Sequence, residues 1–386
     1  LFPYTTLFRS GNLYPQYQTV TFGDSSATGA EVSTMTKGKT GAQTNTFAAG
    51  AVSATKFTPV NSYIGFKGQK TVGELTLGYD VQGVVNIDNS NGSSFLSEPR
   101  DAFVFVEHKT LGSLTAGQQD TYYKQNGDKV RMLGVSSSNF VSSANVASNP
   151  TWGNKGISTS FNTRINGQLL WASPRINGFE VGYSLRQDPT KTATKNASLS
   201  SVGINWTDKK YYVGLAQETH NDYFAVSGTA STATAGSIYN AAAGLRSQDT
   251  ATRLSFGYRV SGIRIGADTS TLKYTETSTQ ANGFQSYKTT TYQVTGEYDL
   301  NSQITLAAQY ANNAAGNCTL NGTISCSTAG LGGNLVGFGA KYNLDKNFAV
   351  FALAAKGTAN SGAVISFGSG AGKTAVGGTI NAAAVG

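Results

Sequence analysis

The chain has 386 residues, of which 13% are charged, 11% aromatic, 46 are glycine and 7 proline. That excludes a collagen-like, proline-rich or disordered chain, and no run of about 18 apolar residues is present to form a transmembrane helix. The formal net charge is +8, yet Lys and Arg are scattered singly, without the basic tail or helix that would point to nucleic acid.

Residues 1–10, LFPYTTLFRS, lack the basic, apolar and small-residue regions of a signal peptide. They read as a foreign segment ahead of a single domain over 11–386. A first strand is expected near 13–22. Beyond it, strict alternation recurs. Leu75, Leu77, Tyr79 and Val81 alternate with Glu74, Thr76, Gly78, Asp80 and Gln82. Phe179, Val181, Tyr183 and Leu185 alternate with Glu180, Gly182, Ser184 and Arg186. Leu254, Phe256, Tyr258 and Val260 alternate with Arg253, Ser255, Gly257 and Arg259, and Ile263, Ile265 and Ala267 with Arg264, Gly266 and Asp268. Each run is a strand with one apolar face and one small or polar face.

Short turn signals fall at 69–73, 110–112, 174–178, 208–210, 261–262, 300–302 and 344–346. Long polar segments lie near 23–61, 87–99, 120–163, 188–198, 220–249, 276–286, 313–332 and 357–377. Short and long connections alternate, which cuts the chain into about sixteen strands near the ~9–11 residues that cross a bilayer. An all-β transmembrane antiparallel barrel follows, with short periplasmic turns and long extracellular loops. Its backbone can be satisfied in lipid only if the sheet closes. At about sixteen strands the lumen holds water and needs no apolar core. Phe179, Tyr211, Tyr298 and Phe348, near the short turns, would join the periplasmic aromatic girdle.

Cys318 and Cys326 lie eight residues apart in a polar loop. They could stay free thiols; a disulfide closing a small loop is the expectation. A metal site is not expected, since His108 and His220 are far from them in sequence. No cofactor is expected. Neither histidine has a nucleophile motif nearby, so no enzyme is expected. The last strand is expected at about 378–386.

Three stretches resemble the trimeric general porins of Gram-negative outer membranes, and a fourth also fits. They are Ser62-Tyr63-Ile64-Gly65-Phe66-Lys67-Gly68, then Arg100-Asp101-Ala102-Phe103-Val104 followed by Gly112 and Leu114-Thr115-Ala116-Gly117-Gln118-Gln119. Next come Thr163-Arg164-Ile165-Asn166 with Trp171-Ala172-Ser173-Pro174 and Asn177-Gly178-Phe179, and last Val336-Gly337-Phe338-Gly339-Ala340-Lys341-Tyr342-Asn343-Leu344. The resemblance implies a sixteen-stranded homotrimeric channel in outer-membrane lipid, passing small hydrophilic solutes and ions. It also implies that the third loop, 120–163, folds into the lumen, and that the final strand ends in an aromatic residue, so that the chain reads as cut short at Gly386. Tyr63, Gln118 and Gln69-Lys70 depart from the family's pattern and remove two expected basic lumen residues, so its constriction field does not carry over intact.

By strand parity Lys67, Arg186, Arg253, Arg259 and Arg264 point inward; Arg100 and Arg164 sit at strand starts, where parity is undecided. The loop supplies Asp120, Lys124, Asp128, Lys129 and Arg131. Any one Arg can simply pair with a nearby carboxylate, such as Arg264 with Asp268. The basic excess as a set favours anions weakly, because screening acts over ~8 Å at physiological salt. A substrate-specific porin and a surface adhesin or receptor barrel remain the alternatives.

Overall fold

The structure, a computed structural model, describes residues 6–23, 53–86, 96–135, 139–151, 160–187, 196–223, 245–277, 283–322, 325–368, 372–374 and 377–386. Much of the long segments expected near 23–61, 87–99, 188–198 and 220–249 lies outside the described residues, as do parts of those near 276–286, 313–332 and 357–377.

The strands run in chain order as β1 (Thr6–Asn12), β2 (Gln16–Phe22), β3 (Ser53–Thr58), β4 (Tyr63–Val72), β5 (Leu75–Val85), β6 (Leu96–His108) and β7 (Gly112–Asp120). Helix α1 (Tyr122–Asp128), a 3-10 turn (Met132–Gly134) and helix α2 (Ala144–Ala147) follow. Then come β8 (Arg164–Ala172), β9 (Phe179–Gln187), β10 (Ser198–Thr207), β11 (Tyr211–Asn221), β12 (Ser247–Val260), β13 (Ile263–Glu276) and β14 (Phe284–Asp299). The last are β15 (Ile304–Asn313), β16 (Asn317–Leu320), β17 (Gly333–Asn343), β18 (Ala349–Ala359), β19 (Ser366–Phe367), β20 (Gly372–Lys373) and β21 (Thr379–Val385).

All but β19 and β20 belong to one antiparallel sheet of 19 strands. Three crossings of the wall are interrupted. β1 pairs with β4 while β2 pairs with β3, and β15 and β16 both pair with β14. With each interrupted pair taken as one crossing, the wall has sixteen among the described residues. β21 pairs with β18 on one side and β2 on the other, so the ring of neighbours returns to its start and leaves no open edge. β1 runs across residue 10: part of the segment set aside as foreign is paired along β4.

The short connections follow from their residues. Ser261 and Gly262 both take positive φ, 44° and 81°, the two-residue turn whose twist matches its flanking strands. Asp208, Asn301 and Asp345 each accept two backbone N–H bonds through Oδ1, from Lys210 and Tyr211, Gln303 and Ile304, and Asn347 and Phe348. These side chains mimic a backbone turn and end the strands where the sequence predicts.

The outward face carries an apolar band. Leu75, Leu77, Val181, Leu215, Leu254, Phe256, Ile265 and Val294 are all exposed. Phe179, Tyr211, Tyr298 and Phe348 are exposed beside the short turns. The inward face differs from the expectation in one respect. A lumen without an apolar core was expected, but Val20, Phe22, Leu353, Ile380, Ala382 and Ala384 face inward and are buried together with Met132, Phe140, Val141 and Val146 of the third loop. The loop brings its own apolar side chains into the barrel, and the wall they rest on is apolar in return.

Candidate functional site

The third loop enters the lumen directly from β7. Thr121 caps α1, its Oγ1 accepting the Lys124 N–H at 3.3 Å. The loop is then bonded to the wall along its length. Ser201 Oγ accepts the Tyr123 N–H at 2.7 Å, and the Tyr123 hydroxyl donates to Ser270 Oγ at 3.2 Å. The Tyr212 hydroxyl donates to Asn126 Oδ1 at 2.7 Å, and Thr295 and Thr291 donate to the carbonyls of Val130 and Ala147. The Gln309 amide donates to the Val141 carbonyl, and Asn313 to those of Val146 and Asn149. Asn139 reaches Gln16 across the barrel at 3.1 Å. These bonds satisfy loop backbone that would otherwise be buried unpaired. Close approach also needs absent side chains: a Cβ at Gly182 would lie 2.0 Å from the Tyr122 ring.

Beside the loop is a constriction cavity of about 280 Å³, lined by Asn61, Arg100, Asp120, Lys124, Asp128, Gly134, Arg131, Val135, Asn162 and Arg164. Its charges are cross-linked. Lys124 Nζ bridges Asp120, at 2.9 Å, and Asp128. Arg131 holds Asp128 at 2.8 Å, and Arg164 joins Asp101, at 2.7 Å, to Asp120, at 3.2 Å. Burial pushes the Asp128 carboxyl up, but Arg131 and Lys124 outweigh it and hold its pKa below the usual carboxylate value. Four cations and two carboxylates line this cavity, a basic excess beside the loop.

The undecided residues Arg100 and Arg164 both reach the constriction, for the same reason. The β5–β6 pairing shifts register between Val81 and Gly83, and the β7–β8 pairing between Gly117 and Gln119. Such bulges reset the inward–outward phase. Arg100 then donates to Gln82 Oε1 at 3.2 Å and sits 4.3 Å over the Tyr63 ring. Thus Tyr63 and Gln82 hold Arg100 at the constriction.

Of the residues placed inward by parity, Lys67 is exposed on the side of β4 opposite Ile64 and Phe66. Arg186 bonds the Tyr223 hydroxyl at 3.1 Å. Arg259 and Arg264 line a second cavity, described below. Arg253 points inward but is 2% exposed. It donates to Ser270 and Ser148, and lies 4.4 Å over the Tyr123 ring. It is a post beneath the loop and does not line the water path. Arg264 does pair with nearby carboxylates, but Asp268 is not among them. It binds Glu297 at 2.6 Å and Asp299 at 3.0 and 2.8 Å, whereas Asp268 accepts from the Gln293 amide at 2.6 Å. Residues four apart on a strand are about 13 Å apart, while Glu297 faces Arg264 directly across β13–β14.

Beneath the loop, on the short-turn side, is a vestibule of about 650 Å³ lined by Lys129, Arg131, Lys209, Lys210, Arg259, Arg264 and Lys341 with Asp128, Asp208, Glu297 and Asp299. Lys209, Lys210 and Lys341 escaped the sequence reading. Lys341 was legible by parity beside outward Tyr342, but the turn lysines carry no strand phase. Cys318, in β16, is bonded to Cys326 as a disulfide, with Cα atoms 5.6 Å apart.

A closed barrel of sixteen crossings, apolar outside and narrowed within by a bonded loop, defines a transmembrane β-barrel channel of the outer membrane. The sequence pattern of the Gram-negative porins matches residues 16–363, and the chain belongs to that family. Solved structures of the same fold include the anion-selective porin from Comamonas acidovorans, at 14% identity and TM-score 0.68, with 99% of this chain and 98% of that one covered. In-vitro folded OmpT of Vibrio cholerae matches at 13% identity, TM-score 0.64 and coverage of 99% and 96%. Salmonella typhi OmpF complexed with daunomycin matches at 13%, 0.57, and 97% and 96%. No curated protein matches the chain.

Proposed function

We propose that the chain forms a water-filled channel for passive diffusion of small hydrophilic solutes and ions, with a weak preference for anions. The observation that carries the reading is the constriction lining of four cations against two carboxylates. The vestibule below it repeats the sign, with seven cations against four carboxylates. A ring of excess charge raises the local concentration of counter-ions along a pore. The Comamonas porin of like fold is described as anion-selective, which agrees in sign.

The same reading takes the channel as a homotrimer. An outward hollow of about 370 Å³ at the barrel seam is lined by Val336, Phe338 and alanines, with Thr19, Thr21, Lys356 and Asn381 set among them. Amide and ammonium groups facing lipid are costly, up to about 2–4 kcal/mol for a midplane Lys, and a second copy relieves that cost. A trimer form is described for the Vibrio cholerae OmpT of like fold.

Zero-current potentials across a planar bilayer in a KCl gradient test the proposal. Ohmic currents with chloride preferred over potassium on the order of twofold support it. Silence removes the channel, and a cation preference shows that the carboxylates of the constriction dominate.

A further inference from the structure

We propose that the vestibule on the short-turn side is a binding site for polyvalent oxyanions, so that such an anion blocks the channel at a lower concentration from that side than from the other. The proposal rests on the channel reading above and adds a ligand and a sidedness to it.

The roof of the vestibule is the third loop, from Asp128 through Gly134. Its floor is formed by two short turns, at Thr207–Tyr211 and Asn301–Ser302, and by the end of β17 at Lys341 and Asn343. Each carboxylate in it is already engaged. Glu297 and Asp299 close on Arg264. Asp128 is held by Arg131 and Lys124. Asp208 accepts the N–H groups of Lys210 and Tyr211 at 2.7 and 2.6 Å, which fixes its turn and holds its pKa below the usual carboxylate value. Two arginines thus absorb three of the four carboxylates, and a backbone turn absorbs the fourth.

Five cations remain around the same space: Lys129 from the roof, Lys209 and Lys210 from one turn, Arg259 from β12 and Lys341 from β17. None makes an ion pair with a carboxylate among the described residues. Lys129, Lys209, Lys210 and Arg259 are exposed to the cavity water. Monovalent chloride is held weakly by such a set because each contact is screened. An anion carrying several charges on one frame meets several of the five at once, and the contacts add. A volume of about 650 Å³ admits a chain of two or three phosphates or a tricarboxylate with its water. A planar guanidinium and several ammonium groups suit the oxygens of either. The constriction above the site is narrower and internally cross-linked, so an anion arriving from the long-loop side reaches the vestibule only by passing it.

Inorganic tripolyphosphate is the probe. Oriented channels are inserted in a bilayer at low salt, and the probe is added to one side at a time while KCl current is read. Block from the short-turn side at a concentration at least about tenfold lower than from the other side is expected. Lys209→Glu combined with Lys210→Glu should raise the blocking concentration about tenfold, and Arg259→Gln about threefold. Lys346→Glu, in a neighbouring turn that does not line the vestibule, should leave block unchanged. An unheated gel showing the folded barrel checks that each variant assembled. Equal block from both sides, or block that the charge reversals leave untouched, overturns the site. Loss of KCl current in the wild type overturns the channel reading itself, a separate outcome.

Discussion

The wall at β12–β14 and the wall at the seam, β18–β21–β2, hold the third loop in different proportions of hydrogen bond and apolar contact. At β12–β14 the outward residues include the large apolar Leu254, Phe256, Ile265, Val294 and Tyr298, and the inward ones the polar Arg253, Ser255, Asp268, Ser270, Thr291 and Gln293. Toward the long-loop ends Leu272, Tyr274, Phe284 and Tyr287 also face inward and pack with Tyr123 and Phe161 of the loop. At the seam Thr19, Thr21, Lys356, Asn381 and Ala383 face outward beside the exposed Tyr17, Val350 and Val385. Val20, Phe22, Leu353, Ile380 and Ala384 face inward and pack against the loop's Met132, Phe140, Val141 and Val146. The β12–β14 wall holds the loop by many hydrogen bonds as well as by packing, and the seam holds it mainly by packing, with one bond from Asn139 to Gln16. The third loop is therefore held from both sides, which fixes its path.

Removing the clamped segment has the largest expected effect. Deleting 139–151 takes out Phe140, Val141, α2 and their bonds to Gln309 and Asn313. Single-channel conductance should rise about twofold or more; an unchanged value would place the segment outside the current path.

Next in size is a contrast between the two outer faces. Ala383→Trp at the seam should dissociate the oligomer on an unheated gel, while Val294→Trp on the β12–β14 wall should leave it intact. Equal behaviour of the two variants would break the assignment of the seam as a subunit contact.

Smaller still is loosening the apolar clamp alone. Phe140 is fully buried, and Phe140→Ala should cost local stability of about 3–5 kcal/mol. Current noise should increase as the loop tip samples other positions, with the barrel still heat-modifiable. Quiet channels in this variant would mean that the hydrogen-bonded wall suffices.

The smallest effect concerns pH. Burial raises the pKa of Asp222, but bonds from Arg246 and from the N–H groups of Asn196 and Ser247 outweigh it and hold it below 3.8. A depressed folded pKa means the latch is fully present above the unfolded value of ~3.9 and is lost as pH falls through the lower folded one. Proteolysis between β11 and β12 should thus be slow at pH 7, faster below about pH 4, and already fast at pH 7 in Asp222→Asn. No pH dependence in the wild type would remove the latch.

The crossings and short turns were legible because period-two alternation and turn chemistry are local. Ser261-Gly262 and Asp208 carry their conformations in a few residues. Parity likewise proposes inward positions for Arg186, Arg253, Arg259 and Arg264 from local residues alone. What parity cannot give is phase across a bulge, as at Arg100 and Arg164, or a partner across a strand whose register is set by a long loop, as with Arg264 and Glu297. Nor can it tell a water-lining arginine from one buried under a loop: Arg253 has the same strand context as Arg259, and only the position of Tyr123 and Ser148 separates them. The apolar part of the inward face at the seam was invisible for a related reason, since it follows from what the loop tip brings to that wall.

The claim that the third loop stays in the lumen of a conducting channel is tested most directly by tethering it. In Val141→Cys with Gln309→Cys, two residues joined here by a hydrogen bond become a disulfide across loop and wall. The cross-link should form in the purified protein on mild oxidation, with dissolved oxygen and copper–phenanthroline taking up the two electrons and two protons, and KCl currents should be ohmic and the same before and after its reduction. Two thiols that stay free in folded, conducting channels would contradict the loop's position, and with it the constriction.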